Sequence, residues 1–537
     1  MRRRRRGLAA ARRMAPCARG NECLSLRLPR DAERPSAAPA CMESRMTRKF
    51  VMLRSATASA VLALTLASAP FLVAQAQDAG SFAGYWSGEV GSERERVAIG
   101  VDLQEDGKGG LDVRLDLPVV HFDRMHVGAA HIEGGALVHP TLPMALRLED
   151  GHLVGTLLGE DEHARLQRGA PAPVAAPVEQ VPALPGPRWS TRLGGLVFAS
   201  PVVSEGIAYV GTTGGTLNAV DTSDGRIVWA VGLGFPMYGA ALVEGDAVYV
   251  VSDGGYLHRL DGKDGREVWR HALDDGRRPR VLPHPTVFDW DWEAPRPVLA
   301  DGVVYAGGAD GVLHAVDAVT GAPRWSFAGE GRIRHAVAVD PGSVYVAFES
   351  GDVHALDRAS GQERWRYALG GQAAADLLVH DGKVYASGRN AYLHAIDAAS
   401  GQRAWRQNFW TSWIDSAPVI SDGTLYIGSS DMRRVSAIDP ASGRVLWRTD
   451  VLGQTWGTPL VLGERVVVGA AAAAPYFLRH EAGLAVLDRR SGALLARLAL
   501  PEGHGHQWGI AGNVSRSGDT LVAADIEGRL MGFDLPE

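Results

Sequence analysis

Ala355-Leu356-Asp357-Arg358-Ala359-Ser360-Gly361-Gln362-Glu363-Arg364-Trp365 decides the fold, because the chain repeats its skeleton. The pattern Ala-x-Asp-x-x-x-Gly-x-x-x-Trp returns at Ala219–Trp229, Ala315–Trp325, Ala395–Trp405 and Ala437–Trp447, and Arg259–Trp269 carries it with Arg in the first place. The aligned aspartates are Asp221, Asp261, Asp317, Asp357, Asp397, Asp439, Asp488 and Asp534, mostly 40 to 49 residues apart. In the first unit, residues 201–203, 207–211, 216–220 and 227–229 read as four short strands. A period of this length with four strands per unit is the signature of a β-propeller.

Eight aspartates predict eight blades. The last unit stops after Phe533-Asp534-Leu535, before a Trp strand, and the missing strand waits at Arg188-Trp189-Ser190-Thr191. Pairing that first strand with the last three closes the ring and hides both sheet edges. Within each motif the Asp is suited to bonding the backbone of its own turn, and the Gly to a positive φ. The recurrent Trp189, Trp229, Trp269, Trp325, Trp365, Trp405 and Trp447 are expected to wedge between neighbouring blades.

Outward from the repeats, the chain of 537 residues divides further. Residues 169–187 hold six prolines and read as an extended spacer. Before them, residues 81–168 show no 40-residue period. Leu111-Asp112-Val113-Arg114-Leu115-Asp116-Leu117 alternates strictly, as a half-buried strand does. This part is expected to be a small antiparallel β domain curling into a barrel. The fold class is therefore all-β, an eight-bladed propeller over 188–537 preceded by that small domain.

Residues 1–45 are rich in Arg, Ala and Pro and read as disordered, or as an extension ahead of a true start at Met46. From Met46 a charged stretch (Arg48, Lys49, Arg54), an apolar run and Ala74-Gln75-Ala76 form the pattern of a secretory signal peptide over 46–76. The expectation is a periplasmic or secreted protein without a membrane span. All three cysteines, Cys17, Cys23 and Cys41, precede Met46. Disulfides, thiolate chemistry, Cys-bound zinc and a lipid anchor at the cleavage junction are thereby excluded from the exported part. Residues 1–76 hold 15 of the 55 Lys and Arg but 4 of the 61 Asp and Glu, so the remainder carries 40 bases against 57 acids, a formal −17. Such a surface repels polyanions, and nucleic acid is not an expected partner.

The repeat resembles the tryptophan-docking motif of pyrroloquinoline-quinone (PQQ)-like propellers, over nearly two thirds of the chain. Members with such repeats include quinoprotein alcohol dehydrogenases, which bind PQQ and calcium on the propeller axis. Others, such as the outer-membrane assembly propeller lipoprotein, carry the repeats without a cofactor. The resemblance implies either a non-catalytic binding or scaffold module of the cell envelope, with no cofactor, or a PQQ- and calcium-dependent oxidoreductase acting on an alcohol or sugar. The opening Phe82-x-Gly84-x-Trp86-x-Gly88 is similar to that of small lipocalin-like domains.

Chemistry in a propeller is expected in the loops that lead into the inner strands. There the remaining aromatics collect, and Phe198, Tyr238, Trp292, Trp413, Trp456 and Trp508 are the candidate axial lining for an envelope protein or small-molecule ligand at the loop face. Phe198, Tyr238, Asp415 and Trp456 share one register, three residues before Pro201, Ala241, Pro418 and Pro459. In the quinoprotein reading Asp415 is the candidate base. The adjacent cysteines that the dehydrogenases place over their cofactor have no counterpart here. A long insertion before Asp317 contains Asp289, Asp291 and Glu293, which share one side of an extended chain as weak calcium candidates, against the alternative of a solvated acidic face. His504 and His506 are half of a possible metal site, with His335 or His480 as a third ligand. Gly-x-Ser-x-Gly and phosphate-cradling glycine motifs are absent from the sequence.

Overall fold

Eight four-strand antiparallel sheets, each running from an inner to an outer strand, follow one another around the ring in a computed structural model that describes residues 78–178, 180–277, 280, 292–476 and 478–535. The expectations for 1–45 and 46–76, and those for Asp289 and Asp291, lie outside the described residues. Blade 1 is Val202–Ser204, Ile207–Gly211, Thr216–Asp221 and Ile227–Gly232. Blades 2 to 7 begin at Leu242, Val298, Ala338, Leu378, Val419 and Leu460. Blade 8 takes Ser515–Ser517, Thr520–Ala524 and Arg529–Asp534 from the C-terminus and Trp189–Arg192 from the far end of the repeats. Trp189 pairs with Gly532 and Thr191 with Leu530, so the ring closes as the sequence predicts.

The motif explains how one blade meets the next. The ring of each recurrent Trp lies on the Gly of the following repeat, and its indole N–H donates to a backbone carbonyl in the same turn. Trp325, for example, donates to Arg358 O at 3.0 Å, and Trp365 donates to Ala398 O at 2.9 Å. Gly361 has φ +72°, and a Cβ there would stand 2.6 Å from Trp325 Cε3. The glycine is thus required twice, for its backbone and for the ring pressed on it. Asp357 closes the turn by accepting from the Ser360 N–H at 3.0 Å and the Ser360 hydroxyl at 2.8 Å. In blades 1 to 6 a tyrosine on the second strand packs against the Trp of its own blade, as Tyr345 does with Trp365 at 5.8 Å between ring centroids. The apolar core consequently runs between blades, as in the clusters that join blades 3 and 4 and blades 1 and 2.

Blade 7 departs from the pattern. Its second strand, Arg465–Ala473, is nine residues long, and its far end pairs with an added strand, Gln507–Gly509.

Ahead of the propeller, β1 (Gly84–Gly91), β2 (Arg96–Glu105), β3 (Leu111–Leu117), β4 (Phe122–Glu133), β5 (Ala136–Val138), β6 (Met144–Glu149), β7 (His152–Leu157) and β8 (His163–Arg168) form a closed antiparallel barrel. Alternating residues such as Leu111, Val113 and Leu115 are buried and fill it. Its core is continuous with Phe409, Trp410 and Ile414 of the propeller. Glu95, between β1 and β2, reaches across to accept from Arg448 Nε at 2.7 Å, Trp410 Nε1 at 3.0 Å and Gln407 Nε2 at 3.0 Å. The proline-rich segment is extended and pinned to blade 7, where Leu184 N donates to Arg497 O and Arg497 N to Pro182 O. Among the described residues no helix is long and apolar enough to cross a membrane.

Candidate functional site

Each inner strand is entered by a loop, and the residue four places before the strand faces the axis. Around the ring these residues are Phe198, Tyr238, Ala294, Arg334, Ala374, Asp415, Trp456 and Ala511, and all eight line one cavity of about 110 Å³. Alanine at three of the eight positions is what leaves the space open. Trp292, two residues before Ala294, leans over it, 5.9 Å from Phe198 and stacked on Trp456 at 5.0 Å between centroids. Phe198 and Tyr238 are likewise 5.9 Å apart. The loops entering blades 1, 2, 3 and 7 therefore supply an aromatic wall.

Blades 4 to 6 supply the charged wall. The Asp415 side chain is 5% exposed, and Arg389 Nε stands 3.8 Å from its Oδ1. Among the described residues that oxygen accepts no hydrogen bond. Burial pushes the carboxyl up to about 7, helped by Glu293 and Asp431 and opposed by Arg389 and His335. His335, buried on the neighbouring loop, has its imidazole pushed down by burial. It sits 3.4 Å from Glu293 Oε2 and 3.2 Å from the carbonyl of Ala373. Asp376 is also subject to burial, but Arg296 at 2.9 Å and the backbone N–H of Ala336 at 2.6 Å hold its carboxyl below the ordinary range. Asp431, behind Asp415, is raised by burial against hydrogen bonds from the Tyr476 hydroxyl and the Trp413 N–H.

The structure thus brings together Phe198, Tyr238, Trp292, Trp456, Asp415 and Glu293. Trp413 stands beside them with the Arg389 guanidinium over its ring at 4.4 Å. Trp508 does not join them: it belongs to the added strand of blade 7 and packs with Ala472 and Ala482. His504 and His506 also lie elsewhere. His504 Nδ1 meets Glu527 at 2.9 Å and His506 Nδ1 meets the carbonyl of Ala474 at 3.3 Å. No group of three His, Cys, Asp or Glu suited to a metal occurs among the described residues. Sequence reasoning missed Arg334 and Asp376, although extending the register of Phe198 to every blade finds Arg334.

A flat quinone does not fit this pocket as it stands. The two tryptophans best placed to sandwich it lie on each other at 5.0 Å. A ring between them needs about 7 Å, twice a contact distance of roughly 3.5 Å.

An eight-bladed all-β propeller with repeated Trp-on-Gly seams, an aromatic and acidic axial pocket and an appended barrel defines the class. Residues 176–287, 280–347, 309–408 and 389–535 match the family described as outer membrane protein assembly factor BamB, and the chain belongs to that family. A curated relative, the outer membrane protein assembly factor BamB of Burkholderia pseudomallei, is 33% identical over 116 residues, 21% of this chain and 27% of the relative. The match thus spans about a quarter of that relative's length. Among solved structures, a quinohemoprotein alcohol dehydrogenase from Comamonas testosteroni is similar at a TM-score of 0.51 and 15% identity, covering 66% of this chain and 77% of the other. The computationally designed Ika8 protein is similar at a TM-score of 0.52 and 16% identity, covering 65% and 100%. These two likenesses concern the fold alone.

Proposed function

We propose that this chain is an exported, non-catalytic binding module of the cell envelope, which engages an envelope protein through the loops around the propeller axis and works without a cofactor. The family match supports this reading, since the Burkholderia relative is by name an assembly factor for outer membrane proteins. The observation that carries it is the axial pocket. Its aromatic residues close on one another at 5.0 to 5.9 Å, leaving about 110 Å³, a space suited to one side chain of a partner and short of the several hundred Å³ of ordinary cofactor sites. Recognition then rests on a few anchor residues at the centre of a wider loop surface.

Site-specific photo-crosslinking in cells tests this. A crosslinker at Ala240 or Asn513, both on the pocket wall, should give a discrete adduct with one envelope protein identifiable by mass spectrometry. A crosslinker at the exposed Val319 on an outer turn should not. Adducts only at Val319 would contradict the reading.

A further inference from the structure

We infer that the axial pocket is a receptor for one basic side chain, a lysine or arginine, presented by the protein that the loop face engages. The inference rests on the binding-module reading and deepens it.

Three features carry it. The first is Asp415. Asp415 lines the cavity with its side chain 5% exposed; its Oδ1, turned toward Arg389 Nε at 3.8 Å, accepts no hydrogen bond among the described residues, so the buried carboxyl is under-supplied with donors. An ammonium or guanidinium supplies several. The second is the wall. Phe198, Tyr238, Trp292 and Trp456 surround the space, and aromatic faces attract cations best where water is excluded. The rim already uses this chemistry with its own residues, since Arg280 lies over Tyr238 at 3.9 Å and Arg389 over Trp413 at 4.4 Å. The third is the charge balance at the carboxylate. Glu293 on the blade 3 loop and Asp431 on blade 6 face Asp415 and are acidic. Arg389 on blade 5 is its near cation, and the His335 imidazole on blade 4 is disfavoured as a cation by burial. Arg296 is engaged by Asp376, and Arg334 is the other guanidinium on the wall. It stands two blades from Asp415, across the opening at Ala374.

Because burial holds the Asp415 carboxyl near 7, arrival of a cation draws its proton off. Binding should release up to one proton and tighten as pH rises from about 6 to 8.

The tripeptides Gly-Lys-Gly, Gly-Arg-Gly and Gly-Gln-Gly, capped at both ends, serve as probes for calorimetric titration of the full chain in two buffers of different ionisation enthalpy. At least one basic probe should bind saturably and at least tenfold more tightly than the glutamine probe, with proton release at pH 6.5 that vanishes at pH 8.5. Asp415→Asn should weaken the basic probe at least tenfold and abolish the proton release. Equal response to basic and neutral probes, or full binding by a folded Asp415→Asn protein, would overturn the inference; proton release by the unmodified chain is read without any variant. Should the probes fail while the Ala240 and Asn513 crosslinks persist, the basic-side-chain inference alone is lost. Should the crosslinks fail as well, the binding-module reading falls with it.

Discussion

If the blade seams depend on a tryptophan pressed on a glycine, substituting both should hurt less than the sum of the two single changes. Gly361 and Trp325 are a suitable pair. Gly361→Ala places a methyl group 2.6 Å from Trp325 Cε3 and forces alanine into φ +72°. The backbone contributes about 1–2 kcal/mol of destabilisation, and the clash about 1–3 kcal/mol more. Trp325→Ala removes the ring and its 3.0 Å hydrogen bond to Arg358 O, and for a half-buried ring the lower end of the usual range, about 3 kcal/mol, applies. In the Trp325→Ala background the clash has no partner, so Gly361→Ala should then show only its backbone part. The double variant should be about 1–3 kcal/mol more stable than additivity gives. Urea denaturation of the four proteins, followed by far-ultraviolet circular dichroism, reads this coupling. Additive costs within about 0.5 kcal/mol would refute the claim that ring and glycine act as one unit.

Other outcomes follow from the same contacts. Because the folded carboxyl of Asp415 lies near 7, above its ordinary 3.8, its contribution to stability is greatest below pH 4 and is lost as pH rises to about 7. Asp415→Asn should therefore gain stability relative to the unmodified chain across that window and hold a constant margin above it, as denaturation midpoints at several pH values would show. Glu95→Ala leaves Arg448, whose side chain is 5% exposed, without its carboxylate where barrel meets propeller, and should destabilise by about 3–5 kcal/mol. Limited proteolysis should then release the barrel sooner; an unchanged digestion pattern would count against that fastening. Deleting Trp189–Arg192 bares the edge of Arg529–Asp534 and should produce concentration-dependent association by light scattering, whereas the complete ring stays monodisperse.

The ring was legible in the sequence because each blade is specified by its own turn. Asp357, Gly361 and Trp365 sit within nine residues, and the eightfold count needs only their recurrence. The aromatic half of the pocket was legible for a related reason, since Phe198, Tyr238 and Trp456 hold one position relative to their strands. The charged half was harder to read. His335 meets Ala373 and Glu293, and Asp376 meets Arg296 and Ala336, all across blade boundaries that no local spacing records. Trp508 shows the converse. It lies in the right loop, yet the pairing of Gln507–Gly509 with Ala471–Ala473 carries it away from the pocket, and an alanine run gives no sign of such a partner. Glu95 was hidden too, in a polar turn of alternating Glu and Arg whose inward member only the packed barrel reveals.

The central claim is that this propeller holds partners rather than a redox cofactor. Calorimetric titration of the protein with PQQ in the presence of calcium tests it most directly. The account predicts no saturable heat and no spectral shift, because Trp292 and Trp456 stack on each other at 5.0 Å and leave no room for a flat ring between them. Stoichiometric binding at micromolar affinity or tighter would contradict it and return Asp415 to the role of a catalytic base.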